Sequence, residues 1–344
     1  MVPFAGYDMP VQYSGVNAEH TNVRNNVGIF DVSHMGEFIV SGKNALALIQ
    51  KISSNDASVL FPGRAQYAYL PNENGGVVDD LLIYMLSENK YMLVVNASNI
   101  EKDWNWINKH NDVGATLENI SDQMSLLAIQ GPRALKMLQK LTDSDLSLIK
   151  FYHFIEGKIG GLENVIISAT GYTGSGGFEL YVNNKDADKL WEAIFNIGKD
   201  FDLSAAGLAA RDTLRLEMGY CLYGNDINDT TSPIAAGLGW VTKFNKSFVN
   251  DQQLKSQKEN GIGEKLVAFK LLDRGIPRKD YKIVNENNNE IGVVTSGTMG
   301  PSVKLSIGLG YVNKNYSAVG SIIYLTIRNK SIKAEVVKLP FFKS

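Results

Sequence analysis

Two adjacent aspartates, Asp79 and Asp80, lie inside the apolar stretch GGVVDDLLIYM, residues 75–85. The apolar and β-branched neighbours that follow a Gly-Gly turn predict a strand with at least one buried face. Because successive side chains of a strand point to opposite faces, both carboxylates cannot face solvent if one face packs on a core. An ionised carboxylate is costly to bury without partners. The stretch therefore predicts one inward aspartate with hydrogen-bonding partners or a chemical function.

Glu179 and Arg211 are two further charged residues in apolar surroundings. Glu179 follows the glycine-rich loop GYTGSGG in a predicted strand, where its carboxylate is either a solvated alternation position or an acceptor for the amide-like edge of a ligand. A phosphate-binding loop is disfavoured, because the next element is a strand and no Gly-Lys-Ser/Thr follows. Arg211 lies near the apolar stripe of a predicted helix in GLAARDTLRLEMG, where a snorkelling or internally paired guanidinium is the alternative to a ligand contact.

The residues that commonly bind metals give little support to a metal site. The four histidines are scattered without ligand spacing, and His34 in DVSHMGEF is predicted to be structural. Cys221 is the single cysteine, which excludes an internal disulfide and any multi-cysteine cluster built by this chain alone. We expect Cys221 to be a buried, inert thiol in a reducing compartment.

The composition is that of an ordinary globular protein, with 344 residues, 44% apolar and 20% charged. A formal net charge of −2 argues against a large nucleic-acid footprint. No apolar stretch is long enough to span a membrane, and MVPFAGYDMP lacks the pattern of a secretory signal. These features predict a cytoplasmic protein with no nucleic-acid or membrane partner.

Predicted strands and helices alternate without a steady β-α-β rhythm, which favours an α+β fold. A hairpin is predicted over 80–96, followed by a helix over 97–110, and two strands are predicted around the loop before Glu179. The polar stretch 251–264 is predicted to be a linker. After it, short strands separated by turn residues predict a small antiparallel barrel over 265–344.

Nine motifs occur together and in one order along nearly the whole chain. They are VPFAGYDMPVQY, GIFDVSHMGEF, NENGGVVDDLLIY, VVNASNIEKDWNWI, IQGP, TGYTGSGGFEL, GLAARDTLRLEMGYCLYGNDI, SPIAAGLGW and TSGTMGPS. As a set they resemble the aminomethyltransferase (T protein) family of the glycine cleavage system. The resemblance implies three lobes around a central hole, with two mixed α/β folate-binding lobes in 1–250 and the barrel as the third.

The resemblance also implies the reaction. Family members bind tetrahydrofolate, take the aminomethyl group from the lipoyl arm of the carrier (H) protein, release ammonia and form 5,10-methylenetetrahydrofolate. Asp80 is then the inward, catalytic aspartate, and Asp79 is its outward neighbour. No metal is implied.

Seven further positions match family residues around the folate. Glu179 would hold the pteridine edge through paired hydrogen bonds, which would explain a carboxylate in an apolar strand. Arg211 would contact the pteridine side. The other positions that the resemblance places around the folate, or at the channel for the lipoyl arm, are Tyr172, Asn96, Tyr67, Met35 and Arg278.

The sequence departs from the family pattern at its start, because relatives carry a short T-P-L-like leader before VPFAGY. Either the start was assigned too late or this member lacks that segment, which would affect docking of the carrier. Two rival functions share the folate pocket: a folate-dependent demethylase, and a non-catalytic folate-binding factor of iron–sulfur assembly. The second rival carries a K-G-C-Y-x-G-Q-E signature, whereas this chain has MGYCLYGND around Cys221.

Overall fold

The computed structural model describes residues 1–343, which form two compact units. The first unit comprises 1–70 and 79–211, and the second comprises 71–78 and the residues from 212 onward. The strands are β1 Val2–Phe4, β2 Tyr7–Met9, β3 Val27–Asp31, β4 Gly36–Ser41, β5 Arg64–Pro71, β6 Val77–Ser87, β7 Lys90–Val95, β8 Thr116–Asn119, β9 Met124–Gln130, β10 Phe154–Ile159, β11 Leu162–Ser168, β12 Gly177–Asn183, β13 Leu203–Ala205, β14 Glu264–Leu271, β15 Lys282–Val284, β16 Glu290–Gly300, β17 Leu305–Asn313, β18 Ile322–Ile327 and β19 Lys330–Val337. The α-helices are α1 Val16–Asn25, α2 Ala45–Ile52, α3 Ile100–Lys109, α4 Ala134–Leu138, α5 Asn184–Gly198, α6 Leu208–Met218 and α7 Asp251–Asn260.

The aspartate-bearing strand β6 belongs to a five-stranded sheet in the order β5-β6-β7-β4-β8. Strands β6 and β7 pair antiparallel, with Leu82 opposite Val94, which confirms the predicted hairpin. The turn between them uses Asn89 at φ 58°, a left-handed conformation that asparagine tolerates well. The predicted helix after the hairpin is α3, preceded by one 3₁₀ turn.

A six-stranded mixed sheet in the order β10-β11-β12-β9-β3-β13 completes the main frame of the first unit. Strands β11 and β12 pair antiparallel around the glycine-rich loop, as the sequence predicts. Gly177 closes this loop at φ 120°, and a Cβ there would lie 2.2 Å from the Ile129 carbonyl oxygen. Only glycine fits such an approach of two backbones. The loop therefore brings Glu179 into register with Ala128 of β9.

The second unit contains a closed six-stranded antiparallel barrel, β14-β17-β16-β15-β18-β19, which confirms the predicted barrel. Its interior is filled by buried apolar side chains that include Phe269, Ile283 and Leu325. Burial of such alternating apolar positions is the main favourable contribution to folding. Together with the mixed sheets of the first unit, the barrel confirms the α+β fold class.

The predicted linker is a helix over most of its length. Residues 251–260 form α7, in which Leu254 is the buried side chain. The segment is otherwise polar because the helix exposes most of its surface, so one buried apolar residue leaves little periodic signal. Among residues 1–343, no helix has the length and apolar character needed to cross a membrane.

Candidate functional site

Asp80 lies at the centre of a hydrogen-bonded group contributed by three adjacent elements. Tyr67 of β5 donates its hydroxyl to Asp80 Oδ2 at 2.9 Å, and Asn96 donates Nδ2–H to Asp80 Oδ1 at 2.9 Å. Met35 directly precedes β4, whose first residue, Gly36, pairs with the neighbour of Asn96 on β7. The structure thus brings together Asp80, Tyr67 and Asn96, and places Met35 beside the same end of the sheet.

The prediction that Asp79 faces outward is wrong. Asp79 is 0% exposed, whereas Asp80 is partly exposed. Asp79 accepts hydrogen bonds from the Asn96 backbone N–H at 2.9 Å, from Asn96 Nδ2 at 2.8 Å and from Asn99 Nδ2 at 2.6 Å. These donors make burial of its charge tolerable. Both aspartates are therefore built into the site, on opposite faces of β6.

The electrostatics of Asp80 suit proton transfer near neutral pH. Burial, followed by the charge of Asp79, raises the pKa of Asp80 to about 7, and the hydrogen bonds from Tyr67 and Asn96 act in the opposite direction. A general base works best when its pKa lies near the working pH. Asp80 can therefore accept a proton, or stabilise a developing positive charge, at an end of the sheet that solvent can reach.

Glu179, Arg211 and Tyr172 form a second group in the same unit. The Arg211 guanidinium carbon lies 4.5 Å from the centre of the Tyr172 ring, within the range of a cation–π contact. Thr170 donates its hydroxyl to Glu179 Oε2 at 2.5 Å. Burial raises the pKa of Glu179, while this hydrogen bond and the charge of Arg211 oppose the rise. Arg211 thus contacts an aromatic ring and lies close enough to Glu179 for its charge to act on that carboxylate.

A chain of hydroxyl groups joins the two sheets between these groups. Tyr84 of β6 is hydrogen-bonded through its hydroxyl to those of Ser168, Thr170 and Tyr181, at 3.2, 3.1 and 3.0 Å. Thr170 also holds Glu179. Burial raises the pKa of both tyrosines, so their hydroxyls stay protonated. Asp80 and Tyr84 share one face of β6. The hydrogen-bonded hydroxyl groups therefore fix the distance between the group around Asp80 and the group around Glu179.

Glu37 is a candidate residue that the sequence reasoning missed. It lies on β4 opposite Val94, is 1% exposed, and has no hydrogen-bond partner for Oε2 within residues 1–343. Burial raises its pKa to about 9, so the carboxyl is neutral at physiological pH. The pattern GEFIV offered the same signal as Glu179, an acidic residue beside apolar strand positions, and could have identified it.

Arg278 lies in the other unit from the residues above. Its side chain is exposed, and Nη1 donates to the Gly297 carbonyl at 3.0 Å. It therefore contributes a cation to the surface of the barrel unit, and its proposed role toward a lipoyl arm stays a prediction.

His34 is buried, as expected for a structural histidine, but its Nδ1 has no partner within the described residues. Its ring packs edge-on against Phe4. Burial, followed by the charge of Arg211, lowers the pKa of His34 to about 4, so the ring is neutral. Among residues 1–343, no cluster of three or more histidine, cysteine or acidic side chains could hold a metal ion.

A buried ion pair in the second unit was also missed. Arg215 is 1% exposed and donates to Asp226 Oδ2 at 2.7 Å and to Asp212 Oδ1 at 2.8 Å. Asp226 is 0% exposed and also accepts from Thr295 and Ser296. Every charge is compensated, which is the pattern of a structural pair rather than of a ligand site. Asp212 lies three positions before Arg215 on the same helix, a spacing at which side chains are neighbours.

The matches to known proteins cover nearly the full chain and agree with one another. The family model of the GCVT N-terminal domain matches residues 1–246, and that of the glycine cleavage T-protein C-terminal barrel domain matches residues 264–343. The aminomethyltransferase of Flavobacterium psychrophilum is 62% identical over 343 residues, covering 100% of this chain and 95% of the relative. That of Bacteroides thetaiotaomicron is 58% identical over 345 residues, covering 100% and 96%.

The fold agrees as well. The crystal structure of glycine cleavage system aminomethyltransferase T from Bartonella henselae matches with a TM-score of 0.92 at 34% identity, covering 99% of this chain and 93% of that one. The domain matches, the full-length identities and the fold thus point to the same family. The chain belongs to the T-protein family of the glycine cleavage system and is an aminomethyltransferase.

Proposed function

We propose that this enzyme uses tetrahydrofolate as acceptor and the lipoylated carrier (H) protein of the glycine cleavage system as donor of the aminomethyl group. The products are 5,10-methylenetetrahydrofolate, ammonia and the dihydrolipoyl carrier. We further propose that the enzyme acts in the cytoplasm, as its single cysteine suits a reducing compartment.

The observation that carries the proposal is the hydrogen-bonding state of Glu179. Its Oε2 accepts a hydrogen bond from the Thr170 hydroxyl, which fixes the orientation of the carboxylate. Although burial raises its pKa, the side chain stays partly exposed and is therefore open to a ligand. A carboxylate that is held in place at one oxygen and is partly exposed fits the paired N–H donors of a pteridine edge. The Arg211–Tyr172 stack beside it offers a flat surface of the kind on which an aromatic ring system packs.

Bound tetrahydrofolate supplies the amine nitrogens that accept the one-carbon unit. The contribution of Asp80 is to orient such a nitrogen and to take up the proton that it loses, which a carboxylate with a pKa of about 7 can do. Tyr67 and Asn96 each donate to a different oxygen of Asp80. Such fixed donors preorganise the carboxylate, so that little reorganisation is needed during the reaction.

The remaining candidate residues are assigned separate roles. Met35 lies next to the sheet end that carries Asn96, and we assign it to the wall around the aromatic part of the folate. Arg278 is exposed on the barrel unit, and we assign it to recognition of the arriving lipoyl arm. The neutral state of His34 removes it as a competing charge near Arg211.

A reconstituted transfer assay tests the proposal. Purified protein is mixed with tetrahydrofolate and with aminomethyl-loaded lipoyl carrier, and methylenetetrahydrofolate and ammonia are measured together with direct folate binding. We expect both products in equal amounts, and no product from a carrier that lacks the lipoyl group. Folate binding without transfer from the loaded carrier would contradict the proposed donor. Absence of folate binding would contradict the assignment of Glu179.

A further inference from the structure

We propose that Asp79 and Asp103 form a buried carboxyl pair that shares one proton and acts as a positioning pair for Asp80. The proposal rests on the proposed function insofar as Asp80 is the catalytic carboxylate. Neither partner of the pair touches substrate. They act on Asp80 through the side chain of Asn96 and through the negative charge on the opposite face of β6.

The first observation is the burial of both carboxyl groups on the side of β6 that faces α3. Asp79 and Asp103 are each 0% exposed. The Asp103 carboxyl lies within hydrogen-bonding reach of the Asp79 carboxyl. Two carboxylates this close cannot both be ionised in a buried site, as the repulsion adds to the loss of hydration.

The second observation decides which of the two carries the proton. Asp79 accepts three hydrogen bonds, two from Asn96 and one from Asn99. Neither oxygen of Asp103 has a hydrogen-bond donor among residues 1–343. A carboxylate surrounded by donors is stabilised as the anion, whereas one without donors is stabilised as the acid. Burial raises the pKa of both carboxyls, but the hydrogen bonds to Asp79 oppose the rise there, so Asp103 is the neutral acid and its hydroxyl donates to the Asp79 anion.

The third observation links the pair to Asp80. The Asn96 side-chain amide donates to Asp79 Oδ1 and to Asp80 Oδ1, at 2.8 and 2.9 Å. The Asp79 anion thus fixes which way this amide points, and the amide in turn fixes the Asp80 carboxylate. The same negative charge is the second cause, after burial, of the raised pKa of Asp80. Without the proton of Asp103, Asp79 would itself become protonated, and both effects on Asp80 would be lost.

Other charged or titratable groups around these carboxyls are few. Tyr67 of β5 donates to Asp80, and Lys102 of α3 acts on Asp103 through its charge. Glu37 of β4 is neutral and faces the side of the sheet that carries Asp80. The neighbouring charge that raises the pKa of Asp80 is thus that of Asp79.

The test is a titration of aspartate carboxyl carbons by ¹³C NMR on the full-length protein, which does not depend on activity. The variants are Asp79→Asn, Asp103→Asn and, as a surface control, Asp188→Asn, which removes an exposed charge on α5. The Asp80 signal is assigned by its loss in Asp80→Asn. In the unmodified protein we expect one aspartate carboxyl that stays protonated through pH 7 and is absent from Asp103→Asn.

Asp79→Asn removes the negative charge on the opposite face of β6. The titration midpoint of the Asp80 carboxyl should therefore fall by roughly one to two pH units in this variant. Asp103→Asn keeps a neutral donor to Asp79 and should leave the midpoint where it is, as should Asp188→Asn. A midpoint unchanged in Asp79→Asn, or shifted in Asp103→Asn, would overturn the proposal. Should Asp79→Asn not fold, the proposal is still refuted by the absence of a carboxyl that stays protonated and that Asp103→Asn removes.

The pH dependence of transfer, measured alongside, separates this proposal from the proposed function. If the carboxyl titrations follow the expectation and the unmodified protein transfers no one-carbon unit, the proposed function fails while the carboxyl pair stands. If transfer occurs, the acid side of its pH profile should move with the Asp80 midpoint in Asp79→Asn. A profile that does not move would refute the positioning role.

Discussion

Replacement of Glu37 by glutamine should stabilise the protein in a pH-dependent way. Glu37 is 1% exposed, and burial raises the pKa of its carboxyl to about 9 from an ordinary value of 4.5. The folded state therefore keeps the proton that the unfolded state loses above pH 4.5. The unfolded state binds fewer protons over this range, so this group lowers the free energy of unfolding as pH rises. Its contribution is most favourable below pH 4.5 and is lost progressively up to about pH 9.

The magnitude follows from the difference between the two pKa values. Each unit of pH between them changes the free energy of unfolding by about 1.4 kcal/mol, so holding Glu37 neutral costs about 3 kcal/mol at pH 7. Glutamine has nearly the same shape and no proton to lose. Glu37→Gln should therefore match the parent protein near pH 5 and exceed it at pH 8, by up to about 4 kcal/mol.

Urea unfolding of both proteins at pH 5, 6, 7 and 8 measures this difference, because the other titrating groups cancel in the comparison. The Asp188→Asn variant, with the change on an exposed helix position, is the control and should show no such trend. A stability difference between Glu37→Gln and the parent that is independent of pH would refute the neutral state of Glu37.

Three further predictions concern binding and stability. Glu179→Gln should weaken tetrahydrofolate binding about tenfold or more, because a charge-assisted bond to the pteridine edge is worth about 1.5–3 kcal/mol; calorimetry at constant pH measures it, and an unchanged affinity would contradict the assignment. Arg211→Lys should weaken the same binding by about 0.5–2 kcal/mol, since the flat guanidinium that stacks on Tyr172 is lost; retention of full affinity would separate that stack from the pocket. Asp226→Asn should lower the free energy of unfolding by about 3–5 kcal/mol, because Arg215 then stays buried without its full partner; a shift below 1 kcal/mol in urea unfolding would show that Asp212 alone compensates the arginine.

The alternation of strand residues predicts much of the frame and part of the site. It gives the β6–β7 hairpin, the two strands around the glycine-rich loop, and the acidic residues Asp80 and Glu179 as exceptions in apolar strands. It fails for Asp79, because the argument assumes one packed face and one solvated face. Strand β6 has packed material on both faces: Asn99 and Asp103 on one side, and the partners of Tyr84 on the other.

Contacts between residues distant in the sequence could not be predicted from spacing. Tyr84 and Tyr181 share a hydrogen bond across 97 positions, and Arg215 finds Ser296 across 81. Such pairs depend on how sheets and helices pack, which no local pattern encodes. The motif resemblance supplied the role proposed for Asp80, whereas the partners that hold this carboxylate became visible only in the folded chain.

The most direct test of the central claim is one-carbon transfer by Asp80→Asn, compared with Asp188→Asn and the unmodified protein. Asparagine keeps the shape of the side chain and the hydrogen bond from Tyr67, but it cannot accept a proton or balance a positive charge. We expect the rate of methylenetetrahydrofolate formation to fall by about 10²–10⁴-fold, the usual contribution of a general base, with tetrahydrofolate affinity largely kept. Transfer within a few-fold of the unmodified rate would contradict the assignment of Asp80 as the catalytic carboxylate.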